Sequence, residues 1–306
     1  MKNYDVIIIG AGLAGLSLGS ELSKKHNILV IEKSQIKKEH KTWTTEESII
    51  KDAGLQKFIS TSFDKCYFKF LDKEKYYFYD KIATVDDVAV LNFFDKAIKD
   101  NRSKVLENCN FIDIIETKEN SINIKTSEGI FSTRLLIDCS GIDSKLTTKN
   151  QIYDKIFYLP VYGGVYNVSL TNKEVCIAEI MTNDFPLNLL EVFPANKDQA
   201  LIYTFQYSKE NIDPKSLKAI HEYQIKNCYL KDELKGKKMV REVYGMIPMG
   251  EVKKNAVDNI FFFGDTDLMG SPIAGTGFTN IIQHYRKIAK HLSEKLLNNT
   301  LKEKEL

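Results

Sequence analysis

Residues 5–15 read DVIIIGAGLAG, an apolar run followed at once by a glycine-rich turn. A second apolar run, ILVI at 28–31, ends on Glu32. The order of strand, glycine turn, helix, strand and acidic residue predicts the phosphate-binding unit of a dinucleotide fold, because a helix N-terminus attracts a pyrophosphate. A carboxylate at position 32 favours a ribose with a free 2′-hydroxyl, since it would repel a 2′-phosphate. The residues assigned to the cofactor here are Gly10, Gly12, Leu13, Ala14, Gly15, Glu32 and Lys33.

The composition is that of an ordinary globular protein. The 306 residues carry a net charge of +2, with 27% charged and 43% hydrophobic residues, and the lysines are scattered, which argues against a nucleic-acid partner. The five cysteines are odd in number and widely spaced, which indicates buried thiols in a reducing compartment. No His, Cys, Asp or Glu cluster has the spacing of metal ligands, so no metal is expected. The chain has neither a signal peptide nor an apolar stretch near the roughly 18 residues of a membrane span, which predicts a cytoplasmic protein without an integral membrane segment.

The rest of the chain alternates between strand and helix patterns. Its clearest hairpin joins residues 189–193 to residues 201–205 through a polar turn. The other predicted elements are a hairpin at 66–79, a helix at 87–101, strands at 109–115, 121–126 and 129–137, an antiparallel block at 155–208, a helix at 214–230, a strand at 259–263 and a final helix at 275–298.

Two later segments complete the cofactor pattern. A strand ends at Gly264-Asp265, and a glycine loop and a long helix follow it. This arrangement resembles the C-terminal FAD motif of the para-hydroxybenzoate-hydroxylase-like flavoproteins, and DCSG at 138–141 resembles their middle motif. The resemblance implies that FAD is the cofactor, that Asp265 binds the ribityl chain and that the helix N-terminus is directed at the isoalloxazine and the pyrophosphate. The residues assigned in this way are Gly141, Gly264, Asp265, Gly275, Thr276 and Gly277.

The predicted fold class is α/β, with two domains. A discontinuous, Rossmann-like FAD-binding domain is built from residues 1–65, 81–154 and 240–306. A mainly antiparallel β substrate domain, from residues 66–80 and 155–239, is inserted between these pieces. Because the chain has one glycine-rich unit and FAD takes it, NADH or NADPH is expected only as a transient reductant.

Within that fold the chain resembles the lycopene cyclase and geranylgeranyl reductase branch. The resemblance lies in Thr42-Trp43, in VFP at 192–194 and in YGMIPM at 244–249. In lycopene cyclases the strand after the Leu-Pro segment carries Glu-Asp-Thr, whose carboxylate is assigned to protonating or stabilising a carbocation. Here that strand reads LIYTF at 201–205 and has no acid.

Four residues are candidates for the substrate pocket, namely Trp43, Glu191, Tyr203 and Tyr207. Trp43 stacks on substrate or flavin, or covers the core. Tyr203 and Tyr207 share a strand face and line the pocket or form a plain cross-strand aromatic pair. Glu191 is a displaced acid or, with more weight, a solvated strand residue. The histidines at 221, 284 and 291 are expected at the surface of helices.

The function predicted from these features is that of an FAD-dependent oxidoreductase, a reductase or dehydrogenase. It would transfer a hydride between flavin N5 and an unsaturated or oxidisable, mostly apolar small molecule of isoprenoid type or another secondary metabolite. The alternatives are a cyclase or isomerase that uses reduced FAD without net redox, marked by a carboxylate such as Glu191 or Glu179, a flavin monooxygenase, or a flavin-binding partner protein. The chain has no Trp-x-Trp-x-Ile run, which argues against a halogenase. Peripheral contact with a membrane and the oligomeric state stay open.

Overall fold

The structure is a computed structural model that describes residues 2–36, 43–71, 74–142, 144–170, 175–182, 186–207, 212–270, 277–298 and 300. The strands in this part of the chain are β1 (Lys2–Ile9), β2 (Ile28–Ile31), β3 (Trp43–Glu46), β4 (Ile59–Phe63), β5 (Cys66–Phe70), β6 (Glu74–Tyr77), β7 (Ile82–Val85), β8 (Lys104–Leu106), β9 (Phe111–Lys118), β10 (Ser121–Thr126), β11 (Gly129–Asp138), β12 (Tyr153–Tyr166), β13 (Val175–Ile180), β14 (Leu187–Asn196), β15 (Gln199–Tyr207), β16 (Met239–Val252), β17 (Ala256–Val257) and β18 (Ile260–Phe262). The helices are α1 (Leu13–Leu22), α2 (Glu47–Asp52), α3 (Asp87–Asp100), α4 (Lys145–Asn150), α5 (Lys218–Asn227), α6 (Lys231–Leu234) and α7 (Gly277–Asn298).

The chain divides into two compact units. Unit 1 comprises Met1–His40, Val88–Ile156 and Gly250–Leu306, and unit 2 comprises Lys41–Asp87 and Phe157–Met249. These bounds differ from the predicted ones, since residues 41–65, 81–87 and 240–249 fall in unit 2 and residues 155–156 fall in unit 1. The largest difference is the segment before residue 88. The reason is that β3, β7 and β4 form a three-stranded sheet of their own, which packs on β14 through hydrogen bonds such as that from Thr61 Oγ1 to the Pro194 carbonyl (3.3 Å).

Unit 1 is built on a mostly parallel sheet. The strand order is β17-β18-β11-β1-β2-β8, and the antiparallel pair β9 and β10 lies beside β11. β1 pairs in parallel with β2 and with β11, and β11 pairs in parallel with β18, so all four strands end at the same edge of the sheet. The glycine turn, Glu32, the turn after Asp138 and Gly264 all follow at that edge, where ligands of open α/β sheets bind.

Apolar strands and two packed helices form the core of unit 1. Ile7, Leu29, Leu136 and Phe262 come from four neighbouring strands and are fully buried in one cluster. The helices α1 and α7 pack against each other, and the ring of Tyr285 on α7 meets a ring on α3 edge to face. This α/β architecture with a parallel sheet confirms the predicted fold class.

Unit 2 is built on a seven-stranded sheet of order β16-β12-β15-β14-β13-β5-β6. The pairs β12 with β15, β15 with β14, β14 with β13 and β5 with β6 are antiparallel, and β13 pairs in parallel with β5. The predicted hairpin at 189–205 is β14 and β15, and the predicted hairpin at 66–79 is β5 and β6. The largely antiparallel sheet is therefore confirmed.

The two faces of this sheet differ. Side chains alternate between faces along a strand. The helix-covered face carries Leu190, Val192, Ala200 and Ile202, which pack against buried side chains at 228, 230 and 234 around α5 and α6. The other face, called here the aromatic face, carries Leu189, Glu191 and Phe193 of β14 and Leu201, Tyr203, Phe205 and Tyr207 of β15. The aromatic face thus holds three of the four candidate pocket residues.

The helices of the described residues include none that is long and apolar enough to cross a membrane. The five cysteines are free thiols, and four of them are buried.

Candidate cofactor and substrate sites

The three glycines of the first turn have different tasks. A Cβ on Gly10, whose φ is +98°, would overlap the Cys139 carbonyl oxygen, and a Cβ on Gly15 would overlap the Gly10 carbonyl oxygen. Both positions therefore require glycine for the packing of turn, strand and helix. Gly12 has an ordinary φ of −73°, and a Cβ there would have no atom within 4 Å. The turn thus leaves open space at the start of α1.

The helix end that borders this space is uncapped. No side chain caps α1 at Gly12, and its first turn contains no acidic residue. The first intrahelical bond runs from Leu16 N to the Gly12 carbonyl (3.0 Å), so the amide groups of Leu13, Ala14 and Gly15 have no acceptor within the helix. Open space in front of free amides and a positive helix end fits a pyrophosphate.

Glu32 is fixed at the end of β2 by hydrogen bonds from two directions. Its Oε2 accepts from Ala11 N (2.9 Å), and its Oε1 accepts from Ser34 N (3.0 Å) and Ser34 Oγ (2.9 Å). A carboxylate offers about four acceptor positions, so one is left for a ribose hydroxyl. Lys33 is exposed beside it.

The turn after β11, at residues 138–141, is stabilised by the buried carboxyl of Asp138. Asp138 accepts hydrogen bonds from Ser140 N (3.0 Å), Ser140 Oγ (2.6 Å) and Ser144 Oγ. Burial raises the pKa of Asp138, although the bonds from both serines act in the opposite direction. Gly141 follows with a φ of +86° and donates its amide to Thr266 Oγ1 (3.2 Å). Asp138 thus stabilises the turn, and the Gly141 amide links the turn by a hydrogen bond to the segment that follows β18.

The segment that follows β18, which begins at Gly264, lies close to the glycine turn at residues 10–15. A Cβ on Gly264, whose φ is +79°, would lie 2.6 Å from the Ala14 Cβ. Asp265 is exposed, and its Oδ1 lies 3.2 Å from the position of a Cβ on Gly277, at the start of α7. These segments of unit 1 therefore meet around one edge of the sheet, as a dinucleotide cofactor requires. Gly275 and Thr276 lie outside the described residues.

Asp267, in the turn after Gly264, has a perturbed carboxyl that the motifs did not indicate. Burial raises its pKa to about 7. The side chain is half-buried, and nothing in the local sequence marks it as such, since the exposed Asp265 precedes it in the same short turn.

In unit 2 the candidate pocket residues are divided between two sheets. Trp43 is buried on β3 opposite Val85, in the three-stranded sheet. Glu191, Tyr203 and Tyr207 lie on the aromatic face of the seven-stranded sheet, with Glu191 directly opposite Tyr203. The structure therefore brings three of the four together, as strand alternation predicts for the two tyrosines.

Glu191 is a buried acid in apolar surroundings. It is 7% exposed, and it has no hydrogen-bond or ion-pair partner among the described residues. Burial raises its pKa to about 8, and its charge helps raise the pKa of Tyr207 to about 12, although burial is the larger cause there. The expectation of a solvated strand residue is wrong, because Leu189 and Phe193, two positions away on either side, are core residues of the same face.

Glu179, the other carboxylate considered, lies on the opposite face. It stands across from Leu190, and its Oε1 accepts from Lys69 Nζ (2.7 Å) while its Oε2 accepts from Tyr229 N (3.3 Å). Both oxygens are thus occupied by structural partners. Glu179 is a support of the sheet rather than a reactive acid.

The expectation that His221 is a surface group is also wrong. Its ring is fully buried on the helix-covered face, between Thr204 Oγ1 (2.9 Å from Nδ1) and Tyr166 OH (2.9 Å from Nε2). Because Thr204 donates its only hydroxyl proton to Gln224 Oε1 (2.6 Å), Nδ1–H donates to Thr204 and Nε2 accepts from Tyr166. Burial lowers the pKa of His221 to about 4. His284 is exposed on α7, as expected, and His291 is exposed too.

Within the described residues, no group of three or more His, Cys, Asp or Glu side chains could hold a metal ion.

Solved structures share this fold over nearly the whole chain. A geranylgeranyl bacteriochlorophyll reductase-like protein from Thermoplasma acidophilum superposes with a TM-score of 0.82 at 15% identity, covering 99% of this chain and 81% of that one. PqsL of Pseudomonas aeruginosa, a probable FAD-dependent monooxygenase, gives 0.76 at 16% identity, with 97% and 88% covered. Halogenase PltM, solved with phloroglucinol and FAD, gives 0.77 at 15% identity, with 98% and 71% covered. At these identities the likeness establishes the fold, that of FAD-dependent oxidoreductases.

A search of curated protein sequences gives no significant match. The family model described as lycopene cyclase protein matches residues 5–306, from the first strand of the glycine motif to the last residue. With its flavoprotein fold and this match over nearly its full length, the chain belongs to the lycopene cyclase family.

Proposed function

We propose that this protein is an FAD-dependent oxidoreductase that transfers a hydride between flavin N5 and an unsaturated, mostly apolar small molecule. The observation that carries the proposal is the open space in front of the uncapped N-terminus of α1 at Gly12, with Glu32 fixed beside it. Family membership and the fold of its FAD-dependent neighbours support the same cofactor. In this proposal Leu13, Ala14 and Gly15 bind the pyrophosphate, Glu32 the ribose and Asp265 the ribityl chain.

The aromatic face of unit 2 supports an apolar substrate. Its hydrophobic cluster consists of leucine, valine, isoleucine, phenylalanine, tyrosine, alanine and methionine side chains, and Glu191 is a buried acid on the same face. Covering such a surface with hydrocarbon contributes about 25 cal/mol for each Å² removed from water, so a long isoprenoid chain would bind well here. A charged or strongly polar substrate would find few partners on this face.

An absorbance spectrum of the purified protein, followed by anaerobic additions, tests the cofactor and its reductant. We expect the bands of oxidised flavin, and bleaching by NADH or NADPH if a nicotinamide is the transient donor. Bleaching by dithionite but by neither nicotinamide would have two explanations. Either the substrate itself reduces the flavin, as in a dehydrogenase, or the reduced flavin takes part in a reaction without net redox change. Absence of flavin, even after incubation of the apoprotein with FAD, would refute the proposal.

A second candidate is a cyclase or isomerase that needs reduced FAD but causes no net redox change. Glu191 favours it, because a buried acid without a partner suits protonation of a carbon–carbon double bond. Product masses separate the candidates when reduced holoenzyme is incubated with lycopene or with geranylgeraniol. Cyclisation or isomerisation keeps the mass of the substrate, reduction adds two hydrogens, and a monooxygenase would add one oxygen in air.

A further inference from the structure

The carboxylate of Asp265, which the proposed function assigns to the ribityl chain, is not fixed by contacts of its own. Its side chain is exposed and has no hydrogen-bond or ion-pair partner among the described residues. Glu32, the acid assigned to the ribose, differs, because Ala11 and Ser34 donate to its two carboxylate oxygens. The place of the Asp265 carboxylate therefore depends on the backbone of its turn.

That turn has hydrogen bonds within itself, but they fix only its shape. It is a short 3₁₀ helix, Gly264–Asp267. Its bonds run from Leu268 N to the Asp265 carbonyl (3.2 Å) and from Met269 N to the Gly264 carbonyl (3.2 Å). Both partners of each bond belong to the turn, so other contacts must set where the turn lies in unit 1.

Thr266, the residue after Asp265, connects the middle of the turn to two other segments of unit 1. Its side chain is fully buried, and its Oγ1 accepts from Gly141 N (3.2 Å) in the turn after β11. Its carbonyl accepts from the hydroxyl of Tyr153 (3.0 Å), the first residue of β12. These partners lie 125 and 113 residues away in sequence. Both contacts therefore hold the turn from outside.

Two further contacts hold the ends of the turn. Gly264 packs against Ala14 at one end, and Asn280 Nδ2 donates to the Met269 carbonyl (2.6 Å) at the other. Neither contact lies beside the exposed acid. Thr266 is thus the residue whose bonds hold the backbone next to that acid.

The hydroxyl of Thr266 has a role that its carbon atoms could not fill. Burying a hydroxyl costs free energy unless it is hydrogen-bonded, and valine has the same shape without that cost. The bond to Gly141 accounts for the hydroxyl at this position. Because successive Cα atoms are about 3.8 Å apart, a shift of Thr266 moves Asp265 with it.

We propose that Thr266 is a positioning residue for the cofactor, whose two hydrogen bonds hold the turn where Asp265 meets the ribityl chain of FAD. This inference rests on the proposed function, which assigns Asp265 to that chain. The ADP half of FAD is assigned to other groups, the free amides at the start of α1 and Glu32, which make no contact with Thr266. The Thr266 hydroxyl should therefore strengthen the binding of FAD and leave the binding of ADP unchanged.

Two variants of Thr266 test the inference. Thr266→Val removes the hydroxyl and keeps the shape, and Thr266→Ser keeps the hydroxyl as the matched control. Titrations of the apoproteins, by flavin fluorescence for FAD and by calorimetry for ADP, give the two Kd values. We expect Thr266→Val to weaken FAD binding about 10-fold, as for one lost hydrogen bond, with the Kd of ADP unchanged, and Thr266→Ser to bind both as wild type does. Unchanged FAD binding by Thr266→Val, or an equal loss for ADP, would overturn the inference.

Hydrogen exchange of the Gly141 amide shows whether the bond itself is lost. In the apoproteins this amide should exchange faster in Thr266→Val than in wild type, and Thr266→Ser should restore slow exchange. Equal exchange in wild type and Thr266→Val would overturn the inference, because the hydroxyl would then not hold the turn.

Tyr153→Phe tests the same turn through its other bond, should Thr266→Val fail to fold. Tyr162→Phe is its matched control, because Tyr162 donates to Glu242 Oε1 (2.6 Å) within unit 2. We expect Tyr153→Phe to weaken the binding of FAD but not of ADP, and Tyr162→Phe to change neither. An equal effect of the two tyrosine variants on FAD would overturn the inference.

The wild-type titration separates this inference from the proposed function. A wild-type apoprotein that binds no FAD would refute the proposed function, and the role of Thr266 with it. Wild type that binds FAD, beside a Thr266→Val variant that binds it equally well, would refute the role of Thr266 alone.

Discussion

At the scale of single residues, the carboxyl of Glu191 makes stability depend on pH in an unusual direction. Its pKa is about 8 in the folded protein and about 4.5 for an ordinary glutamate. Between these values the native state holds one proton more than the unfolded state, so the free energy of unfolding falls as pH rises, by about 1.4 kcal/mol per pH unit. The loss reaches the order of 4 kcal/mol by pH 8.

Glu191→Gln removes this dependence, because an amide does not titrate. We expect the variant to match wild type near pH 5 and to exceed it increasingly up to about pH 8. Urea unfolding of both proteins across that range measures the difference, in which all other titrating groups cancel. A difference that stays constant with pH would mean that Glu191 is ionised in the folded protein.

Gly12 and Gly15 give a matched pair of substitutions. Gly12→Ala places a methyl group in open space, so we expect the apoprotein to lose at most about 1 kcal/mol through the weaker helix cap. FAD affinity should fall by about 10- to 100-fold, as for one or two lost phosphate contacts. Gly15→Ala forces a methyl group onto the Gly10 carbonyl oxygen and should destabilise the apoprotein by about 1–3 kcal/mol or prevent folding.

Urea unfolding of the apoproteins and titration with FAD separate the two effects. Equal FAD affinity of Gly12→Ala and wild type would show that no phosphate approaches Gly12.

At the scale of elements, helix α5 is joined to the sheet by a polar network. His221 accepts from Tyr166 and donates to Thr204, so the ring must stay neutral to keep both bonds. Its pKa is about 4 when folded and about 6.5 ordinarily. The stability that this neutral ring contributes is present above pH 6.5 and is lost as pH falls towards 4, by about 3 kcal/mol in all.

Two measurements test this behaviour. In proton NMR spectra the ring signal of His221 should not titrate until pH falls near 4. Tyr166→Phe should cost about 1–3 kcal/mol, because it leaves the Nε2 acceptor buried without a donor. Titration of His221 near pH 6.5, the ordinary value for a histidine, would contradict the buried assignment.

The elements that could be predicted are those with a local signature. The glycine turn follows from its own sequence, and α3 (Asp87–Asp100) follows from its apolar period and nearly matches the predicted 87–101. His221 could not be placed, because its partners Tyr166 and Thr204 come from distant strands. Glu191 did have a signal: its neighbours two positions away, Leu189 and Phe193, are apolar, and strand alternation puts all three on one face.

At the scale of the whole molecule, the cofactor segments are far apart in sequence and join only in the folded unit 1. Gly264 approaches Ala14, and Gly141 donates to Thr266, so three chain regions share one edge of the sheet. The predicted order of motifs was enough to infer this meeting, since parallel strands end at the same edge. The division between units was not predicted correctly in detail, because the pairing of β3, β4 and β7 with one another has no local signature.

Hydrogen exchange with two ligands tests this assembly. ADP has the adenine, ribose and pyrophosphate of FAD, so it should slow exchange of residues 10–16 and 32–34 only. FAD should also slow exchange of residues 264–268, because Asp265 is assigned to the ribityl chain that ADP lacks. At a hundredfold excess over Kd either ligand adds about 2.7 kcal/mol of stability, so amides that exchange by local opening must be compared.

Gly12→Ala at the same concentrations is the control and should show weaker protection. Equal protection of residues 264–268 by ADP and FAD would contradict the assignment of Asp265, and protection of β14 alone would move the cofactor out of unit 1.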